Sequence, residues 1–183
     1  VPFYMQEYFN KAQIVDNEGQ ARPLVAKEEK IVVTGKTPAD FVSRGITPMQ
    51  SASLLLILVA GISIYGIRRG KTLWGIDLIL FLVAGMAGCI LAFIALFSQH
   101  PAVSPNYILF VFHPFHLFCL PFMLSRVRKR EISRYMLVDF VVLTHFIGLW
   151  TIIPQRIPPA VLPLALCLLI RSASNLILTY KRK

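Results

Sequence analysis

Four histidines, two aspartates and an arginine stand inside or beside long apolar runs, where ionisable side chains are rare. The stretch Phe112-His113-Pro114-Phe115-His116-Leu117 sets two imidazoles three residues apart, a spacing that puts both on one helical face. Pro114 between them removes a backbone donor, so a kink is expected there. His145, Arg171 and Asn175 lie in two later runs. An ionisable group in hydrocarbon is costly and turns toward a bundle interior or a wet cavity, which makes these residues the first place to look for chemistry.

Depth along the helices groups them. At 1.5 Å per residue, His116 lies about 15 Å below the outer end of its run and His145 about 12 Å below the outer end of the next. On the same scale Arg171 lies about 15 Å above the inner end of the last run. One midplane polar cluster of His113, His116, His145 and Arg171 is expected, with Asn175 one turn below. Either interhelical hydrogen bonding or a lipid or proton pathway would account for it. Asp77 and Asp139 sit about 6–8 Å from the inner face. Side chains lean toward a helix's N-terminus, which points Arg171 outward and both aspartates inward. Direct pairing with Arg171 is therefore disfavoured, although arginine's length could overcome the lean, and the aspartates are expected to meet basic clusters at the inner helix ends.

Other chemistries fit less well. Three histidines suit a metal, but no carboxylate is expected at matching depth, so neither a metal site nor a cofactor is anticipated. Cys119 is three residues from His116, the spacing of a thiol and its base. A thiol buried in hydrocarbon has little thiolate character and little access to water, so no catalytic residue is assigned. Cys89, Cys119 and Cys167 all lie in apolar runs and give no disulfide framework. At the membrane surface, the loop 98–107 is stiffened by Pro101 and Pro105. Its His100 and Asn106, with Arg156 from a later loop, form a candidate lipid-headgroup site. Asn106 and Ser104 also read simply as helix caps.

The elements that must position these groups are five apolar runs, each near the roughly 20 residues that cross a bilayer. They cover about Met49–Ile67, Leu73–Phe97, Tyr107–Leu124, Tyr135–Ile153 and Pro159–Tyr180. The chain is 56% hydrophobic and only 15% charged, far from a soluble domain's average. The expected fold is all-α: a polytopic membrane protein with five transmembrane helices over residues 48–183 and a short extracytoplasmic segment, 1–47. Trp74 and Tyr135 at one edge, and Trp150 and Tyr107 at the other, are expected as interfacial anchors.

The net charge of +10 does not indicate nucleic acid. Residues 1–47 hold six basic and six acidic groups and are neutral. The loop after the first run carries Arg68, Arg69 and Lys71; that after the third carries Arg126, Arg128, Lys129, Arg130 and Arg134; the tail ends Lys181-Arg182-Lys183. The opposite loops hold Arg156 alone. Eleven basic residues against one orient the chain with the N-terminal segment periplasmic or extracellular and the C-terminus in the cytoplasm. Within 1–47, the pattern predicts a short amphipathic helix over residues 2–14, a turn at Asp16–Gly19, and a hairpin of Arg22–Ala26 with Ile31–Thr34. The chain opens on Val1 without a signal pattern and reads as a processed product or a piece of a longer polypeptide.

Two stretches carry a family resemblance. The opening VPFYMQEYFNKAQIVDNEGQARPLV resembles the segment that closes the periplasmic domain of Lnb-like proteins of Bacteroidota, the lipoprotein N-acyltransferase type. There a phrase like FLPDYL precedes a short helix and an RPLV turn. His100-Pro101-Ala102-Val103-Ser104-Pro105-Asn106-Tyr107, leading to Pro114 and His116, resembles the loop and helix in the membrane half of the same proteins. The resemblance implies acyl transfer onto a lipoprotein's N-terminal cysteine by a cysteine and a histidine of a periplasmic domain lying upstream of this chain. No residue here matches that nucleophile motif. What remains for this chain is to hold the active domain at the outer leaflet and shape a lipid access groove. Its expected partners are membrane phospholipid, a lipoprotein substrate and an upstream or separate periplasmic domain, with no nucleic acid. A non-catalytic scaffold subunit of an envelope complex and a small transporter are the competing readings.

Overall fold

A computed structural model describes residues 8–15, 19–25, 45–97 and 105–181, and the chain divides into two compact units, 1–45 and 46–183. In the first, a helical turn at 8–11 leads into an antiparallel pair, β1 (Gln13–Val15) and β2 (Ala21–Pro23), with Ile14 opposite Arg22. The hairpin thus forms one element earlier than expected. Gln13 and Ile14, assigned to the helix by their apolar spacing, are strand residues, paired with Pro23 and Arg22. The Leu24 amide extends the pairing to the Ala12 carbonyl at 2.8 Å. The expected strand Ile31–Thr34 lies outside the described residues.

The second unit is helical. The first helix, α1 (Pro48–Arg69), opens on a capping box: the Gln50 amide donates to Thr47 Oγ1 at 3.2 Å and the Thr47 amide to Gln50 Oε1 at 2.9 Å. It ends where Gly70 turns left-handed, at φ 63°. Its buried stripe of Ala52, Val59, Ser63 and Gly66 is small, which lets a neighbouring backbone come close. That neighbour is the last helix, here α6 (Val161–Tyr180), which also packs on α5 (Arg134–Gly148) and α2 (Trp74–Phe97). The outward faces carry Leu54, Ile57, Val83, Ile90 and Val138, each more than half exposed. Such faces suit hydrocarbon rather than water as the surrounding solvent.

The third run departs from expectation. In place of one kinked helix over Tyr107–Leu124 there is a 3-10 turn (Tyr107–Phe110), a non-helical passage to Pro114, a one-turn α3 (Phe115–Phe118) and then α4 (Leu120–Lys129). The axis bends by 78° between residues 107–118 and α4. Two prolines explain it. Pro114 and Pro121 each lack an amide hydrogen and disfavour helix in the residue before, so the helix restarts at each of them. The 78° bend falls at Cys119, beside the second proline.

The fourth run is also shorter than expected. Its regular part ends at Gly148, and tighter turns carry the chain to Ile153. Three helices among the described residues, α1, α2 and α6, are long and apolar enough to cross a membrane, or four if the bent pair is one span. The chain is a multi-pass membrane protein.

Candidate functional site

The polar residues inside the bundle form two networks, held on adjacent residues of α6. Arg171 is fully buried and reaches back to the start of α2. Its Nε donates to Asp77 Oδ1 at 2.7 Å and its Nη2 to Asp77 Oδ2 at 3.0 Å. Nη1 donates to Ser63 Oγ of α1 at 3.0 Å, and Nη2 also reaches the Thr72 carbonyl of the α1–α2 connection at 2.8 Å. Asn175, one turn further along α6, donates to Asp77 Oδ2 at 3.0 Å. A planar guanidinium matches a carboxylate in this two-pronged way, and each added donor offsets the cost of taking the charges out of water.

This pairing overturns the expectation that Arg171 and Asp77 would point apart. Arginine's length spans the gap. Two partly desolvated charges left apart in a bundle interior cost more than an extended rotamer does.

The second network joins the broken segment to α5 and α6. His116, fully buried, donates Nε2–H to the Val111 carbonyl at 2.8 Å. That bond fixes the neutral ring's tautomer and leaves Nδ1 as the acceptor of the Tyr135 hydroxyl at 2.6 Å. Asp139 Oδ1 lies 3.9 Å from the same Nδ1, and Ser172 Oγ donates to Asp139 Oδ2 at 2.6 Å. His113 stacks on His116, ring centroids 3.9 Å apart. Phe81 of α2 meets the His116 ring edge-on at 5.2 Å. Space for this stack comes from Gly88 and Gly85 of α2. A Cβ on Gly88 would lie 2.5 Å from the His113 carbonyl carbon, and one on Gly85 would lie 2.5 Å from the Leu117 amide nitrogen.

Here too the depth argument needs correction. It took the chain from Tyr107 onward as α-helix, rising 1.5 Å per residue. The 3-10 and non-helical passages rise faster, at about 2 Å or more, and carry His116 down to Asp139. Tyr135, expected as an interfacial anchor, is drawn inward as its partner. His145 joins neither network: it is exposed on α5, its Nδ1 bonded to the Val141 carbonyl of its own helix at 2.7 Å. The expected single cluster is therefore two, without His145. Nor is a Cys119–His116 pair formed, since Val111 and Tyr135 occupy both nitrogens of His116.

Of the residues expected at a headgroup site, His100 lies outside the described residues. Asn106 caps the 3-10 turn through the Ile108 amide at 3.2 Å. The Gln155 side chain, which the sequence did not single out, ties the two loops together: its Oε1 accepts the Tyr107 amide at 2.7 Å and its Nε2 approaches Asn106 Oδ1 at 3.5 Å. Arg156 is exposed beside it. Directly below runs an apolar groove of about 440 Å³, walled by Tyr107 and Phe110 on one side and by Val141, Val142, His145, Phe146, Leu149 and Ile153 on the other. A second groove, of about 360 Å³, lies among α1, α2 and α6 near Leu55, Val83 and Leu168.

At the other end, the basic clusters knit the connections together. Arg130 donates to the Gly70 carbonyl, Arg128 lies 3.7 Å above the Trp74 ring, and Arg126 pairs with Glu131 at 2.6 Å.

Residues 40–183 match the sequence model of the Lnb transmembrane domain. The chain belongs to that family. No curated protein and no solved structure matches it. The Lnb transmembrane domain is thus a membrane domain of an Lnb-like protein, and its described helices supply the spans.

Proposed function

We propose that this Lnb transmembrane domain anchors an envelope acyltransferase-like protein and presents a phospholipid acyl chain to it at the outer leaflet. The observation that carries the reading is the juxtaposition of an apolar groove with a polar mouth. The groove's volume of about 440 Å³ is within the ~300–1,000 Å³ of sites that take small apolar ligands. Asn106, Gln155 and Arg156 stand where a glycerophosphate headgroup would emerge. The catalytic cysteine and histidine belong to a periplasmic domain upstream of these residues or on a separate chain, and the acyl group passes to a lipoprotein of a Bacteroidota-type envelope.

In this reading the chain crosses the inner membrane five times. The bent pair forms the third span, and α5 with the turns to Ile153 forms the fourth. Support comes from the five apolar runs, the eleven basic residues on one side and a family labelled by five transmembrane helices. Segment 1–47 then faces the periplasm.

Native mass spectrometry of the chain released from detergent, with phosphatidylethanolamine supplied, tests the groove. One retained phospholipid is expected on the wild type. Val142→Trp, which fills the groove from its α5 wall, is expected to lose it. Equal lipid retention by both would overturn the assignment.

A further inference from the structure

We propose that His113, His116 and Asp139 form a binding site for one divalent transition-metal ion, zinc by ligand type. One ligand atom from each of the three lies within 4.8 Å of the other two. Two imidazoles and a carboxylate are a donor set that zinc accepts with a fourth position left open.

Three features show a built arrangement rather than a chance meeting. First, His113 Nδ1 and Asp139 Oδ1, both buried, make no hydrogen bond. A buried polar atom without a partner is uncommon and costly. Second, the outer contacts are those that orient metal ligands. Nε2–H of His116 is given to the Val111 carbonyl, which leaves Nδ1 with a lone pair directed inward. Ser172 takes the far oxygen of Asp139 and leaves Oδ1 turned toward His116. Third, the two buried aspartates are treated differently. Asp77 has a guanidinium and an amide on its oxygens, whereas Asp139 has one hydroxyl on Oδ2 and a bare Oδ1 3.9 Å from His116 Nδ1. A cation at that point would complete it.

The fit requires a small contraction. With bonds of about 2.0–2.2 Å, ligand atoms of a tetrahedral zinc site stand about 3.3–3.5 Å apart. The His116 Nδ1 to Asp139 Oδ1 separation of 3.9 Å is near this, and the widest pair, within 4.8 Å, must close by up to about 1.5 Å. The Tyr135 hydroxyl, now bonded to His116 Nδ1, would yield that nitrogen and is placed to face the open position. The ion would clamp the broken segment to α5, the two walls between which the apolar groove runs.

Cobalt(II) titration of the detergent-solubilised chain tests this, read by visible ligand-field bands and competed with zinc. One saturable equivalent is expected. His113→Gln is the first variant, because its Nδ1 holds no hydrogen bond that folding needs. It and Asp139→Asn are expected to weaken binding by at least about 100-fold, and Ser172→Ala by roughly 10- to 100-fold, the range for outer partners of metal ligands. His145→Gln is expected to bind as the wild type does. X-ray absorption on the zinc-loaded wild type, which needs no variant, should show two imidazoles and no sulfur. No saturable uptake, uptake unchanged by His113→Gln and Asp139→Asn, or a sulfur ligand would each overturn the site.

Discussion

Among single residues, Arg171 carries the largest expected effect on stability. It joins α1, the α1–α2 connection, α2 and α6 through one side chain. Arg171→Leu leaves Asp77 buried without its countercharge, and breaking such a pair costs roughly 3–5 kcal/mol. A clear fall in melting temperature is expected in detergent. The double variant Arg171→Met with Asp77→Leu, which removes both charges, should recover most of the loss. A double variant no more stable than the single one would contradict the pairing. The sequence showed that these residues are buried and polar, because hydrocarbon runs leave few other reasons for them. It did not show who meets whom. Arg171 to Asp77 and His116 to Asp139 are separated by 94 and 23 positions. Their pairing depends on offsets of a few ångströms that a uniform helical rise cannot supply. Gln155 was missed because an amide in a proline-flanked loop has no periodic pattern to single it out.

At the scale of elements, the third segment decides the arrangement of the site. Its two prolines break it, and the small face of α2 receives it, with Gly88 against the His113 backbone and Gly85 against Leu117. Gly88→Ala is therefore expected to push residues 107–118 off α2, lowering bundle stability and disturbing the His116–Tyr135 bond. Gly61→Ala meets nothing within 4 Å and should be neutral or gain up to about 1 kcal/mol, the usual difference between glycine and alanine inside a helix. Thermal unfolding of the two variants in parallel checks this; equal behaviour would contradict the close approach. The existence and polarity of the long helices were legible, down to Thr47-Pro48 as the start of α1. Residue counts alone could not reveal that a run of suitable length is folded as a 3-10 turn and two short helices. Apolar composition fixes what a segment is dissolved in, and prolines fix where it breaks, but the direction taken after the break is set by packing.

For the molecule as a whole, the charge asymmetry sets the orientation proposed here. Gln20→Cys in the N-terminal unit should react with a membrane-impermeant thiol reagent in intact cells, whereas Lys181→Cys should react only after lysis, each in a background with Cys89, Cys119 and Cys167 replaced. The reverse pattern would invert the topology and place the Asn106–Gln155 mouth in the wrong leaflet. The central claim is that the groove between Tyr107 and Ile153 holds a phospholipid acyl chain beneath that mouth. The most direct measurement is photo-crosslinking in membranes with a phospholipid carrying a diazirine on its acyl chain, followed by mapping of the adducts. The account expects adducts concentrated at residues 107–110 and 141–153 and depleted in Val142→Trp. Adducts spread evenly over the outward faces of α1 and α2, at Leu54, Ile57 and Val83 as often as in the groove, would contradict it.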